Sequence, residues 1–212
     1  MRFPFSIVEG FPAGALPASL ANVSPVPSQW PEPQSPVPDQ DASVSRKPPR
    51  RSAVALLFLP PEAVGAPANI LLIRRSAHYG SHRGQIGLAG GRAEARDAGP
   101  VETLKREIHE ELGIPGEALL FHGALPIQRA IDASEVMPCV VTARWSSAQI
   151  KAAPDEVASV HLAPWTSLIH DKRTVFAFIM FGVRRESALY RVDGTTVWGL
   201  TAAIINGADM LP

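Results

Sequence analysis

Residues 90–114 read GGRAEARDAGPVETLKREIHEELGI, and the periodicity of this stretch decides how the rest of the chain is read. Val101, Leu104, Ile108 and Leu112 recur at the i, i+3, i+7, i+11 spacing of an amphipathic helix. Pro100 suits a first helical position, Glu102 lies in the positive first turn, and Gly113 suits the left-handed residue just past the end. At about 100° per residue, the four apolar side chains span roughly 80° and Glu107, Glu110 and Glu111 an adjacent roughly 100°. The spacing predicts a helix whose buried stripe is flanked by three carboxylates, directly after a glycine pair.

Like charges three and four residues apart destabilise a helix by tenths of a kcal/mol per pair unless a cation neutralises them. Lys105 and Arg106 are the only cations close in sequence, and neither sits centrally in the acidic arc. One reading is a solvated acidic face. The other is a site for a divalent ion such as Mg²⁺, which takes carboxylates, waters and substrate phosphates.

The core at 106–114, REIHEELGI, follows the pattern Arg-Glu-apolar-x-Glu-Glu-x-Gly-apolar behind a Gly-Gly pair and an acidic spacer. It resembles the signature of the Nudix hydrolases, with all five fixed letters present. The resemblance implies an α/β chain folded as an α/β/α sandwich with a mixed sheet. It also implies hydrolysis of a nucleoside diphosphate linked to another moiety, with Mg²⁺ or Mn²⁺ as cofactor. It makes Glu107, Glu110 and Glu111 metal ligands and catalytic residues, and Arg106 the residue that orients them. The spacer is one residue longer than in the commonest form, so the upstream acid of the signature falls to Asp97 or Glu94.

Residues 71–91, LLIRRSAHYGSHRGQIGLAGG, resemble the block that marks the coenzyme A pyrophosphatase branch of that family. Leu71, Leu72, Arg75, Ser76, His82, Gly84, Gln85, Ile86, Gly90 and Gly91 match, and the longer spacer is usual there. Tyr79-Gly80 and Leu88-Ala89 depart from it, standing where the branch has Leu-Arg and Phe-Pro. The residues themselves support anion binding. No acid occurs between Glu62 and Glu94, whereas Arg74, Arg75, Arg83 and Arg92 supply fixed positive charge. Arginine forks suit phosphate oxygens, and glycines let backbone amides approach an anion. The substrate-binding candidates are Arg74, Arg75, Ser76, His82, Arg83, Gly84, Gln85, Gly90 and Gly91; His78 reads as incidental.

A hydrolytic site also needs a proton acceptor for water. Glu110 and Glu111 are candidates, and so is Glu156 in the segment APDEV at 153–157, since a later loop carboxylate serves in some relatives; the plain alternative is a turn carboxylate before a strand.

Residues 53–59 and 70–73 read as short strands separated by a Pro-, Gly- and Ala-rich turn. Residues 119–124 and 136–143 read as further strands, with Pro138 at an edge or bulge. The continuous apolar run at 174–183 reads as a buried strand, and 198–206 as a closing helix ended by Gly207. Residues 154–169 and 197–205 also resemble closing segments of the coenzyme A branch.

Eleven of the 21 prolines fall in the first 49 residues. This composition predicts an extended or disordered arm over 1–50 and a single catalytic domain over 51–212. Arg46, Lys47, Arg50 and Arg51 form a basic hinge between them. Phe3, Phe5, Ile7, Val8 and Phe11 suit docking on the domain or on the other subunit of a homodimer.

Zero net charge and a pI near 7.0 argue against a nucleic-acid or membrane-surface binder. The single cysteine, Cys139, excludes a disulfide framework or zinc cluster and reads as buried and inert. The chain lacks an apolar stretch of the roughly 20 residues a membrane span needs, and its proline-broken N-terminus makes a poor signal peptide. A cytoplasmic location is the expectation.

These readings converge on a Mg²⁺- or Mn²⁺-dependent hydrolase of the pyrophosphate of coenzyme A or its thioesters. One rival is the same fold acting on another small-molecule substrate, such as ADP-ribose, a dinucleoside polyphosphate or a nucleotide. The other is a nucleotide-binding module that regulates a partner without turnover; the intact carboxylates argue against it.

Overall fold

The computed structural model describes residues 16–20, 23–32, 49–61, 66, 68–77, 82–130, 132–169, 172–180 and 182–210. His78, Tyr79-Gly80 and the apolar positions between 3 and 11 lie outside them. A mixed sheet is built from β1 (Arg51–Leu59), β2 (Asn69–Arg75), β3 (Ile86–Gly87), β4 (Ala89–Arg92), β5 (Leu119–Ala124), β6 (Gln128–Arg129), β7 (Glu135–Ala143) and β8 (Val157–Pro164). A separate antiparallel sheet holds β9 (Thr174–Met180), β10 (Val183–Val192) and β11 (Thr195–Val197). Helix α1 (Pro100–Leu112) lies between β4 and β5, and α2 (Gly199–Asp209) closes the described chain.

β1 is the axis of the large sheet. It runs parallel to β7 along one edge, while its other edge pairs antiparallel with β4 over 52–55 and with β2 over 57–59. β1, β2 and β7 are covered on both faces, which is why they read as nearly unbroken apolar runs. Alternate residues separate the two cores. Leu56, Phe58, Ile70, Leu72 and Val140 pack with Ile204, Ile205 and Ala208 of α2. Ala55, Leu57, Leu71, Ile73, Cys139 and Val141 pack with Leu104, Ile108 and Leu112 of α1. The result is an α/β/α sandwich. Burial pushes the Cys139 thiol up to about 12, as its place in a strand led one to expect.

The predicted signals of α1 are all present. Pro100 opens it, and Gly113 closes it at φ 67°, its N–H donating to His109 O. Pro138 sits inside β7 rather than at a sheet edge. Its carbonyl accepts from Leu125 N at 2.9 Å, so it faces the gap where β7's partner changes from β5 to β6. A missing N–H is tolerated there because the ladder is already interrupted.

Three expectations are corrected. The run at 174–183 is not buried: Val175, Ile179 and Val183 are 49, 77 and 50% exposed. β9 is the edge of a three-stranded sheet and pairs only with β10 among the described residues; an apolar run does not say whether a second layer covers it. α2 starts one residue late, with Trp198 as its N-cap, and continues through Gly207 to Asp209. A glycine there costs only about 1 kcal/mol, and burial of Ala208 beyond it carries the helix on. The described part of the arm holds a 3-10 turn at Ala18–Leu20 and packs on the domain. Leu20 is 1% exposed in the α2-side core, Ser24 bridges to Ala124, and Val26 and Trp30 lie against the α1-side core. Arg51 donates to Pro31 O at 2.6 Å and lies over the Trp30 ring. Among the described residues, no helix is long and apolar enough to cross a membrane.

Candidate active site

The carboxylates of α1 are set against the end of β4. Because α1 packs its apolar stripe on the sheet, the flank carrying Glu107 and Glu111 falls onto the glycine pair Gly90-Gly91. Gly90 N donates to Glu111 Oε2 at 2.8 Å. Gly90 has φ +129°, and a Cβ there would run into the carbonyl oxygen of Ala53, so only glycine brings its amide this close. Glu111 is 1% exposed, with Arg75 Nη1 3.6 Å from Oε1. Burial pushes its carboxyl up to about 7, with Arg75 opposing and the charges of Glu107 and Glu156 adding to the rise. Burial likewise raises Glu107, against the pull of Arg106, and Glu110 and Glu156 again add to it.

Arg106 does more than proximity in sequence suggested. Its Nη1 lies 2.8 Å from Glu107 Oε1 and 3.0 Å from Glu110 Oε2, so it neutralises two of the three glutamates. Its other nitrogens donate to Arg92 O and to both oxygens of Asp97. Asp97 also accepts from Glu94 N and Thr103 Oγ1. The Arg106 hydrogen bond holds the Asp97 carboxyl down at about 2. Both Asp97 oxygens are thus engaged by Arg106 and the entry turn of α1. Glu94 is an exposed partner of Arg96.

The later loop closes the site from the other side. Ser76 N donates to Glu156 O at 2.8 Å, tying the end of β2 to the start of β8. Glu156 is half-buried, and its charge is felt by both Glu107 and Glu111. Arg75, Ser76, Gly90, Gly91, Glu107, Glu111 and Glu156 therefore share one neighbourhood. Arg74 does not join them. It projects from the opposite face of β2, donating to Gly84 O and to Thr195 Oγ1 at 2.9 Å. His82, at φ 63°, opens a tight turn whose Gln85 N returns to His82 O. Arg83 is exposed beside it. Gly84 N donates to Arg75 O, and Arg75 N to Gln85 O, so the turn is clamped onto the end of β2.

Thr103 and Thr195 were not foreseen. Thr103 is a buried hydroxyl on the carboxylate flank of α1, one turn before Glu107, where it donates to Asp97 and Gly99 O. Thr195 lies 121 residues from its partner, and nothing local marks it. A cavity of about 440 Å³ lined by Pro164, Thr166, Ser167, Lys172, Thr174 and Arg191 contains none of the candidate residues.

Among the described residues, no three acidic, His or Cys side chains converge as a finished ligand set. The carboxylates pair with Arg106, Arg75 and the Gly90 amide. The donor chemistry nonetheless fits a divalent ion. Glu107 and Glu111 are withdrawn from water, the charge of Glu156 adds to the cost of ionising both, and hard oxygen ligands are what Mg²⁺ and Mn²⁺ take.

The chain is similar in sequence to known proteins. The NUDIX domain profile matches residues 48–178. An uncharacterized Nudix hydrolase designated NudL from Pectobacterium atrosepticum is 33% identical over 144 residues, covering 65% of this chain and 71% of that protein. Its counterpart from an Enterobacter species is 30% identical over 161 residues, covering 74% and 79%. Among solved structures, a Nudix hydrolase from M. smegmatis, RenU, aligns with a TM-score of 0.45 and 22% identity over 55% of this chain and 71% of that one.

Proposed function

The chain belongs to the Nudix family, and from that premise we propose that it is a metal-dependent pyrophosphohydrolase of coenzyme A or acyl-coenzyme A. The products are then 3′,5′-ADP and 4′-phosphopantetheine or its acyl form. The observation that carries this reading is that Arg75 and Gly90, two members of the coenzyme A-type block, are themselves bonded into the carboxylate site at Glu111. The block and the metal helix then form one site, in which an anionic substrate would meet arginine forks, glycine amides and carboxylates together.

Glu107 and Glu111 are the residues we assign to a divalent cation, with Glu110 completing the set from the more exposed end. Bound there, Mg²⁺ or Mn²⁺ supplies charge neutralisation of the pyrophosphate and Lewis acidity toward water. The chain supplies the rest. Arg106 holds Glu107 and Glu110, and Asp97 and Arg92 O hold Arg106. Glu156 is assigned to take the proton of the attacking water, because its charge reaches both Glu107 and Glu111 while it is itself only half-buried. Water attacks one phosphorus, the bond from that phosphorus to the bridging oxygen breaks, and the departing phosphate carries the electron pair. Positioning and charge neutralisation carry most of such a reaction. The turn 82–85 and Arg74 are assigned to substrate binding outside the reacting atoms.

A second reading has specific support. Leu88 and Ala89 are buried at 3 and 0% exposure where the coenzyme A branch carries Phe-Pro, so the wall beside Gly90 differs from that branch. The same site would then take another nucleoside diphosphate derivative. Turnover of coenzyme A, ADP-ribose, a dinucleoside polyphosphate and nucleoside triphosphates with Mg²⁺ or Mn²⁺ separates the two readings. Release of 3′,5′-ADP from coenzyme A, lost in Glu111→Gln, supports the first; turnover of a different diphosphate alone supports the second.

A further inference from the structure

Arg75 closes a ring with Gly90 and Glu111. Arg75 Nη2 donates to Gly90 O at 3.0 Å, Gly90 N donates to Glu111 Oε2 at 2.8 Å, and Arg75 Nη1 stands 3.6 Å from Glu111 Oε1. The ring cannot relax through its backbone. Arg75 is pinned by Gln85 O and Gly84 N, and Gly90 is wedged against Ala53. Among the described residues, Arg75 is the only cation within ion-pair distance of Glu111. The two ends of the pair differ in freedom. Glu111 is 1% exposed, whereas the Arg75 side chain is 32% exposed and has a way out of the contact.

A guanidinium and a divalent cation cannot share one buried carboxylate without strong mutual repulsion. We propose that Arg75 is the resident counter-ion of Glu111, displaced when a divalent cation binds and thereby freed to hold the diphosphate of the substrate. Arg75 is then not a standing phosphate contact. Its release couples the two binding events: a cation prepares the guanidinium for an anion, and by linkage the anion favours retention of the cation. Without metal, the arginine spares the fold a bare buried carboxylate, whose desolvation would otherwise be uncompensated. The inference rests on the assignment of Glu111 as a metal ligand, and is independent of which diphosphate is cleaved.

The test is titration of the full chain with Mn²⁺ alone, without substrate, following loss of the free-ion paramagnetic resonance signal. Wild type, Arg75→Gln, Arg75→Lys and Glu111→Gln are compared. Arg75→Gln is expected to bind Mn²⁺ about three- to tenfold tighter than wild type, because a competing charge is gone. Arg75→Lys keeps the charge and is expected within about twofold of wild type. At saturating Mn²⁺, KM for the hydrolysed substrate rises in Arg75→Gln more than kcat falls. Unchanged Mn²⁺ binding in Arg75→Gln overturns the exchange and leaves Arg75 a plain phosphate contact. Weaker binding overturns it in favour of a purely structural support for Glu111. Arg75→Met serves the same comparison should the glutamine variant not melt cooperatively. If Glu111→Gln binds Mn²⁺ like wild type, the metal assignment itself falls, a result distinct from failure of the exchange.

Discussion

Gly91 lies directly against the carboxyl group of Glu107: a Cβ at that position would stand 2.5 Å from Glu107 Cδ and Oε2. The glycine pair is therefore the surface on which one carboxylate rests and, through the Gly90 amide, the donor that holds the other. Gly91→Ala forces the Glu107 side chain aside while leaving backbone contacts alone, since the obstructing atoms are the end of a flexible chain. We expect kcat to fall about 10²-fold, the scale of a 1 Å misplacement near the reacting centre, with the thermal midpoint nearly unchanged. Steady-state kinetics beside a melting curve checks this; an active Gly91→Ala enzyme would mean that Glu107 does not act from this position.

Arg106 is the structural hub of the site, with its side chain 12% exposed and that of Asp97 4% exposed. Arg106→Ala would leave Asp97 enclosed without its cation, a change that typically costs about 3 kcal/mol. Lysine at 106 restores the charge but not the fork that spans Asp97, Glu107 and Glu110, so it is expected to recover stability more than activity. Urea unfolding of both variants, with kcat for Arg106→Lys, measures the split.

Stability should depend on pH in opposite senses at the two ends of this network. The Glu111 carboxyl is raised to about 7, mainly by burial, so the folded state binds its proton more tightly than the unfolded state. That contribution is present at low pH and lost as pH rises from the ordinary carboxylate range through about 7. Asp97 is lowered from 3.8 to about 2, mainly by its Arg106 hydrogen bond; its contribution is present above 3.8 and lost as pH falls toward 2. Metal-free Glu111→Gln is therefore expected to be inactive yet more stable than wild type at pH 8, with the advantage shrinking by pH 5. Melting both proteins in chelator across that range decides it; a parallel pH dependence would show that Glu111 is not penalised by burial.

The proline-rich arm should behave as part of the fold. Leu20 fills the α2-side core at 1% exposure, so Leu20→Ala is expected to cost about 2–4 kcal/mol. Gly99 and Gly123 leave no room for a Cβ because Ser28 O and the Val23 side chain press against them. Gly123→Ala should therefore lift the strap and lower the thermal midpoint. Denaturant unfolding of Leu20→Ala distinguishes this from a free arm, which would show no change.

Local signals made the site helix legible. The apolar period, Pro100 and Gly113 each have a direct physical meaning, and β1, β2, β5 and β7 fall within two residues of where their apolar runs place them. What escaped depends on contacts distant in sequence. Composition marks residues 1–50 as unable to continue a long helix or a sheet, which is a statement about regular structure; Leu20 is buried from a single 3-10 turn and Trp30 packs partly buried with no regular structure at all. The 174–183 run shows the converse, an apolar strand that no layer covers among the described residues. The separate directions of Arg74 and Arg75 follow from strand alternation. Charge makes Arg74 and Arg75 alike candidates for binding phosphate, and only the paired sheet shows that one of them faces Thr195 and the other Glu111.

The central claim is that the Glu107–Glu111 site hydrolyses the diphosphate of coenzyme A. Its most direct test is kcat/KM for coenzyme A against ADP-ribose at equal Mn²⁺, with products resolved by chromatography and Glu111→Gln as control. The account predicts a clear preference for coenzyme A, stoichiometric 3′,5′-ADP and 4′-phosphopantetheine, and no turnover by the variant. Preferential cleavage of ADP-ribose, or turnover of coenzyme A that survives Glu111→Gln, would contradict it.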